Sequence, residues 1–74
     1  MSAEERAVRV SNVPVNYGIR QVRGAVANTG LYPPVEVSLR WDPTTNTQYA
    51  ILTFRTREDA AQMRREEEMR GLFA

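Results

Sequence analysis

The chain has 74 residues, ten basic and nine acidic, for a formal net charge of +1. That length holds one small domain, taken as residues 1–74, and the balanced charge argues against a binder held mainly by phosphate attraction. Cysteine, histidine and lysine are all absent, which excludes disulfides, thiolate or imidazole zinc sites, cysteine nucleophiles, histidine bases, Schiff bases and a P-loop lysine.

The first element begins at Ala7. Val8, Val10 and Val13 are apolar while Arg9 and Ser11 are polar, which predicts a half-buried strand over Ala7 to Val13, ended by Pro14. Val15-Asn16-Tyr17-Gly18 predicts a loop, with Asn16 capping the helix that follows. From Ile19 the apolar spacing changes to three and four. Ile19, Val22 and Val26 predict a helix of about three turns, stopped at Asn28-Thr29-Gly30. Pro33-Pro34 impose an extended connector.

Val35, Val37, Leu39 and Trp41 then alternate with Glu36, Ser38, Arg40 and Asp42, the clearest strand pattern in the chain. Its parity assigns Trp41 to packing at the hairpin end. Asp42-Pro43-Thr44-Thr45-Asn46 is turn chemistry, and Thr47 to Phe54 forms the returning strand. Ala50, Leu52 and Phe54 share one face of it; Thr47, Tyr49, Ile51 and Thr53 share the other. Thr56-Arg57-Glu58-Asp59 is a loosened capping box. The helix it opens runs from Arg57 toward Met69, with Ala60 and Met63 as its apolar stripe. Arg64 with Glu68, and Glu66 with Arg70, stand four apart and can pair. Gly71 stops the helix, leaving Leu72-Phe73-Ala74.

The order strand, helix, strand, strand, helix and stub predicts an α+β fold of the ferredoxin-like split βαβ type, with a short or missing fourth strand. Both helices would lie on one face of an antiparallel sheet. The other face is left to solvent or a ligand.

This pattern resembles the RNA recognition motif family over nearly the whole chain. The family's first-strand hexamer resembles Val8-Arg9-Val10-Ser11-Asn12-Val13, with Arg9 where an aromatic residue is usual. Its third-strand octamer resembles Thr47-Gln48-Tyr49-Ala50-Ile51-Leu52-Thr53-Phe54. Tyr49, Ala50, Leu52 and Phe54 fit; Thr47 replaces a basic residue, Gln48 a glycine and Ile51 an aromatic. Glu58-Asp59-Ala60 resembles the start of the family's second helix.

The resemblance implies single-stranded RNA bound on the open sheet face. The residues implied are Arg9, Ser11, Asn12, Arg40, Thr47, Tyr49, Ile51 and Thr53. Of the family's three base-stacking positions only Tyr49 is aromatic. Stacking is worth about 1–3 kcal/mol per base, so modest affinity is expected, with Arg9 compensating through its guanidinium plane. The alternative is an RRM-like module that binds protein instead. Ile51 on the open face and an unclosed first-strand edge would then serve a partner or a homodimer. An acylphosphatase-like enzyme on this topology would need an arginine and an asparagine converging on one phosphate, which spacing alone does not supply.

No enzymatic activity, cofactor or metal is expected. Arginine-only usage fits guanidinium recognition, but biased codon usage outweighs that reading. The longest apolar run, Tyr49-Ala50-Ile51-Leu52, is far short of the roughly 20 residues of a membrane span. The start, Met1-Ser2-Ala3-Glu4-Glu5-Arg6, lacks the basic and apolar regions of a secretory signal, so an intracellular site and no membrane partner are expected.

Overall fold

The computed structural model describes residues 3–74; Met1 and Ser2, which open the segment read above for a secretory signal, lie outside the described residues. A 3-10 turn at Ala3–Arg6 leads into β1 (Ala7–Val13), followed by α1 (Ile19–Ala27), β2 (Glu36–Asp42), β3 (Thr47–Thr53) and α2 (Arg57–Met69). The strands form one sheet in the order β1-β3-β2, with both pairings antiparallel. This is a small α+β fold with a three-stranded antiparallel sheet and two helices.

β1 keeps its valines inward by breaking its own alternation. Val8 pairs with Leu52 and Val10 with Ala50, but the next pair is Val13 with Gln48. Three steps on β1 therefore match two on β3, a β-bulge at Ser11-Asn12. Asn12 takes a left-handed φ of 62°, a conformation asparagine tolerates better than most residues. Without the extra residue Val13 would point to the open face; with it, Val13 is buried.

Sheet and helices close on one core. Val8, Val10, Val13, Val37, Ala50, Leu52 and Phe54 meet Val22 and Val26 of α1 and Ala60 and Met63 of α2. Since all the sheet residues in this cluster share one face, both helices cover that face. Thr56 caps α2 as expected, its hydroxyl accepting the Asp59 N–H at 3.1 Å.

The α1 start differs from expectation. Tyr17 N–H bonds the Pro14 carbonyl at 2.9 Å, which places Asn16 inside a turn, too early to cap. The N-cap is Gly18, whose N–H is met by the Gln21 side-chain oxygen at 2.9 Å. Ile19, first in the helical stripe, is 46% exposed and contributes little to the core.

Trp41 also departs from the sequence reading. It pairs with Gln48 at the far end of the hairpin, beyond the apolar cluster, and is 51% exposed. Arg70 and Glu66 approach at 3.6 Å, whereas Arg64 turns away from Glu68 and donates to the Ala7 carbonyl at 3.1 Å. After α2 the chain forms no strand among the described residues. Gly71 turns it with φ 72°, where an added Cβ would meet the Ala74 Cβ at 2.7 Å. Phe73 then packs edge-on against Tyr17, ring centroids 5.6 Å apart.

Candidate functional site: the open face of the sheet

The register decides which polar side chains become neighbours. On the uncovered face Arg9 of β1 stands opposite Ile51 of β3, which stands opposite Ser38 of β2. One step along, Tyr49 is opposite Arg40, and beyond it Thr47 is opposite Asp42. Arg9 and Tyr49 are therefore diagonal neighbours, within reach of a long side chain.

Arg9 uses that reach fully. Its guanidinium carbon lies 3.9 Å from the centroid of the Tyr49 ring, a cation–π contact. Its Nη2 continues to Asp42 Oδ2 at 2.8 Å. One side chain thus crosses β3 and joins the two outer strands. The expected tyrosine platform is consequently covered: a base arriving over Tyr49 meets the guanidinium plane first. The Arg9 side chain retains 48% exposure, so that plane remains accessible.

Asp42 is the functional neighbour that the sequence reading placed in the strand alternation and the turn but gave no role at the site. It does both jobs. Oδ1 accepts from the Thr44 N–H at 2.9 Å and from the Thr44 hydroxyl, while Oδ2 holds Arg9. The Thr44 hydroxyl bond, then the Arg9 bond, then the Thr44 N–H hold its carboxyl well below its ordinary value of 3.8. Its parity with Arg40 and Ser38 was the available signal, since every second residue of β2 shares the open face.

Linkage gives this arrangement a pH signature. A carboxyl depressed on folding stabilises the fold above its unfolded value and loses that contribution as pH falls toward its folded value. Asp42→Asn should therefore flatten the loss of stability between about pH 5 and the acid limit. Urea midpoints at about pH 6 and about pH 3 test it; an equally steep acid loss in the variant would remove Asp42 as its source.

The remaining expected residues spread along the same face. Ile51 and Thr53 are half-buried in β3, and Ser11 and Asn12 are exposed in the bulge. Thr47 shares a 2.7 Å hydroxyl contact with Thr45 of the hairpin turn. Arg40 forms no ion pair among the described residues. Arg9 and Arg40 are offset by Asp42 and by Glu36 of the same parity, so the face is close to neutral.

Gln48, also missed from the sequence, shapes the end of the site. Its amide donates to the Pro14 and Tyr17 carbonyls at 2.9 and 3.3 Å, pinning the β1–α1 loop. A polar residue on the inward parity of β3 needs such partners, and that requirement was legible. A separate cavity of about 550 Å³ between Tyr32, Pro33, Pro34, Val35, Arg55, Thr56 and Asp59 contains none of the expected RNA-contacting residues.

Among the described residues no helix is long and apolar enough to cross a membrane, and no cluster of three or more acidic, histidine or cysteine side chains could hold a metal ion. No family model, curated protein or solved structure matches this chain.

Proposed function

We propose that the open sheet face binds short single-stranded RNA with modest affinity, as a degenerate relative of the RNA recognition motif, without enzymatic activity. The strand order β1-β3-β2 with two helices on one side supports this reading, because a split βαβ plan lacking its last strand would have the same order. The observation that carries it is the Arg9 guanidinium layered on Tyr49 at 3.9 Å, on a face no helix covers. Guanidinium planes stack on nucleobases, and Tyr49 supports this one from below while Asp42 competes for its charge from the side. Arg40 supplies a phosphate contact. Ser11, Asn12, Thr47 and Thr53 supply hydroxyl and amide groups for sugar and base edges, and Ile51 an apolar floor. Such a module would act inside the cell.

Titration of the labelled chain with single-stranded RNA pools tests the proposal. Amide shifts should centre on Arg9, Arg40, Tyr49 and Ile51. Affinity should fall between about 50 and about 200 mM salt, but by much less than for a protein making 6–10 phosphate contacts. Silence of those amides at high RNA excess would remove the proposal.

A further inference from the structure

On its helix side, β2 ends in apolar surface that the core does not use. Trp41 stands opposite Gln48 and is exposed. Residues directly opposite in an antiparallel pair project from the same face, with Cβ atoms about 4.5–5.5 Å apart. The Gln48 amide donates to the Pro14 and Tyr17 carbonyls, so the β1–α1 loop lies against the cross-strand neighbour of Trp41. That loop carries Val15, 75% exposed, and leads into the exposed Ile19. Register thus gathers a tryptophan, an isoleucine and a valine at one end of the molecule, and clustered apolar surface of this kind marks a contact site.

The charge beside this surface has one sign. α1 carries Arg20 and Arg23 but no acidic residue, and none occurs between Glu5 and Glu36. At 3.6 residues per turn, Arg23 follows Ile19 round the helix by about 40° and Arg20 by about 100° in the same direction. Arg23 donates to the Pro34 carbonyl at 2.9 Å, just ahead of β2, which turns this flank of α1 toward β2. Neither arginine forms an ion pair among the described residues. The acid next to Trp41 is Asp42, whose two oxygens already hold Arg9 and Thr44. Glu36 stands at the other end of β2, on the open face.

We propose that Trp41, Ile19 and Val15 form a docking surface for an acidic segment of another protein, one that seats an apolar side chain against Trp41 and sets a carboxylate on Arg20. Tryptophan and arginine are the residue types that anchor protein contacts most often. The unpaired positive charge selects the sign of the occupant. A second copy meeting this surface symmetrically would oppose Arg20 to Arg20. The acid-rich stretch of α2 from another copy is a poor substitute, since Glu66 holds Arg70 and Glu67 accepts the Leu72 N–H. RNA gains little from Ile19 and Val15, whose side chains offer it no hydrogen bond. The surface lies on the helix side of the sheet, so the inference does not rest on RNA binding at the open face.

Trp41 is the only tryptophan in the chain, so its emission reports on this surface directly. The probe is a short tryptophan-free peptide of glutamates around a leucine and a phenylalanine, titrated into the full chain. Expected are a saturable blue shift of Trp41 emission and amide shifts at Val15, Ile19 and Arg20. Arg20→Glu should weaken binding by about fivefold, the scale of an exposed ion pair. Trp41→Ala, followed by amide shifts, should weaken it by about tenfold or more. Both side chains are exposed, so the circular dichroism of each variant should match the unmodified chain. Replacing the peptide's glutamates by lysines, or its leucine and phenylalanine by serines, should abolish the blue shift. Equal binding by the lysine peptide would overturn the charge argument, and equal binding by the serine peptide the apolar anchor. Unmoved Trp41 emission at peptide excess, or amide shifts confined to Arg9, Arg40 and Tyr49, would remove the docking surface. A tighter Trp41 response to single-stranded RNA than to the acidic peptide would give the surface to nucleic acid. A dimer of the chain alone that Trp41→Ala dissociates would give it to a second copy. Either result overturns the proposal.

Discussion

Phe54→Ala should remove a large share of the chain's folding stability and lower its urea midpoint sharply. Phe54 is among the largest fully buried side chains and stands where β3 hands over to α2. Its main chain is already committed: the N–H bonds the Arg6 carbonyl at 2.8 Å and its carbonyl accepts Arg6 Nη1 at 3.3 Å. The backbone therefore cannot collapse easily into the space a ring leaves. Removing a buried phenylalanine costs about 3–5 kcal/mol, transfer and cavity terms together. A domain of this length commands a total of about 4–11 kcal/mol. The core has few large residues to spread the loss over, since most of its members are valine and alanine. Far-UV circular dichroism with urea titration checks the outcome. Phe54→Leu should fall well short of that loss, because it keeps most of the volume. A Phe54→Ala midpoint matching the unmodified chain would mean the core is not organised around this ring.

On the open face, Arg9→Ala and Asp42→Asn should move RNA affinity in opposite directions. Arg9→Ala removes the guanidinium that a base would stack on and leaves an uncovered tyrosine. A stacking contact is worth about 1–3 kcal/mol, so a loss of about tenfold is expected. Asp42→Asn removes a negative charge from the face and releases Arg9 from its 2.8 Å ion pair. Binding should then tighten by about threefold, with a salt slope steeper by about one phosphate contact. Fluorescence anisotropy with one labelled oligonucleotide at two salt concentrations reads both variants. Stability changes alone would lower affinity in both. Weakening by Asp42→Asn, with its fold intact by circular dichroism, would show the ion pair to be needed in place, and Arg9 would not be the arginine released to RNA.

The opposed effects follow from how β1 and β2 are brought together. Arg9 and Asp42 are separated by 33 positions, and neither strand pairs with the other. β3 lies between them and carries Tyr49 at the crossing point. Placing Arg9 and Asp42 at polar positions of their own strands holds for each strand taken singly. The link between them needs the register of both ladders, which the sequence pattern does not state. The same is true of Arg64. Its spacing from Glu68 suggested a helical pair, but the edge of β1 offered a carbonyl at 3.1 Å.

Where local physics sufficed, sequence and structure agree closely. The alternation in β2 and β3, the helical spacing of Val22 and Val26, the Thr56 cap and the stop at Gly71 all depend on neighbours a few residues away. Those signals located every strand and both α-helices of the described chain. Asn16 failed as a cap because a turn closed between Pro14 and Tyr17, and Trp41 stayed exposed because the hairpin extends past the core.

The amino-acid sequence by itself determined that this chain lacks histidine, cysteine and lysine, that its strands and helices follow in a βαββα order, and that Val8, Val10, Val22, Val26, Val37 and Phe54 belong to its inward apolar faces. Hydrophobic periodicity and capping are local, so they can be read along a line. Tertiary structure alone decided that a bulge at Asn12 turns Val13 into the core, that Arg9 covers Tyr49 on its way to Asp42, and that Arg64 reaches from α2 to the Ala7 carbonyl of β1. Each of those depends on the register between segments distant in sequence, and register is set by how the whole core packs.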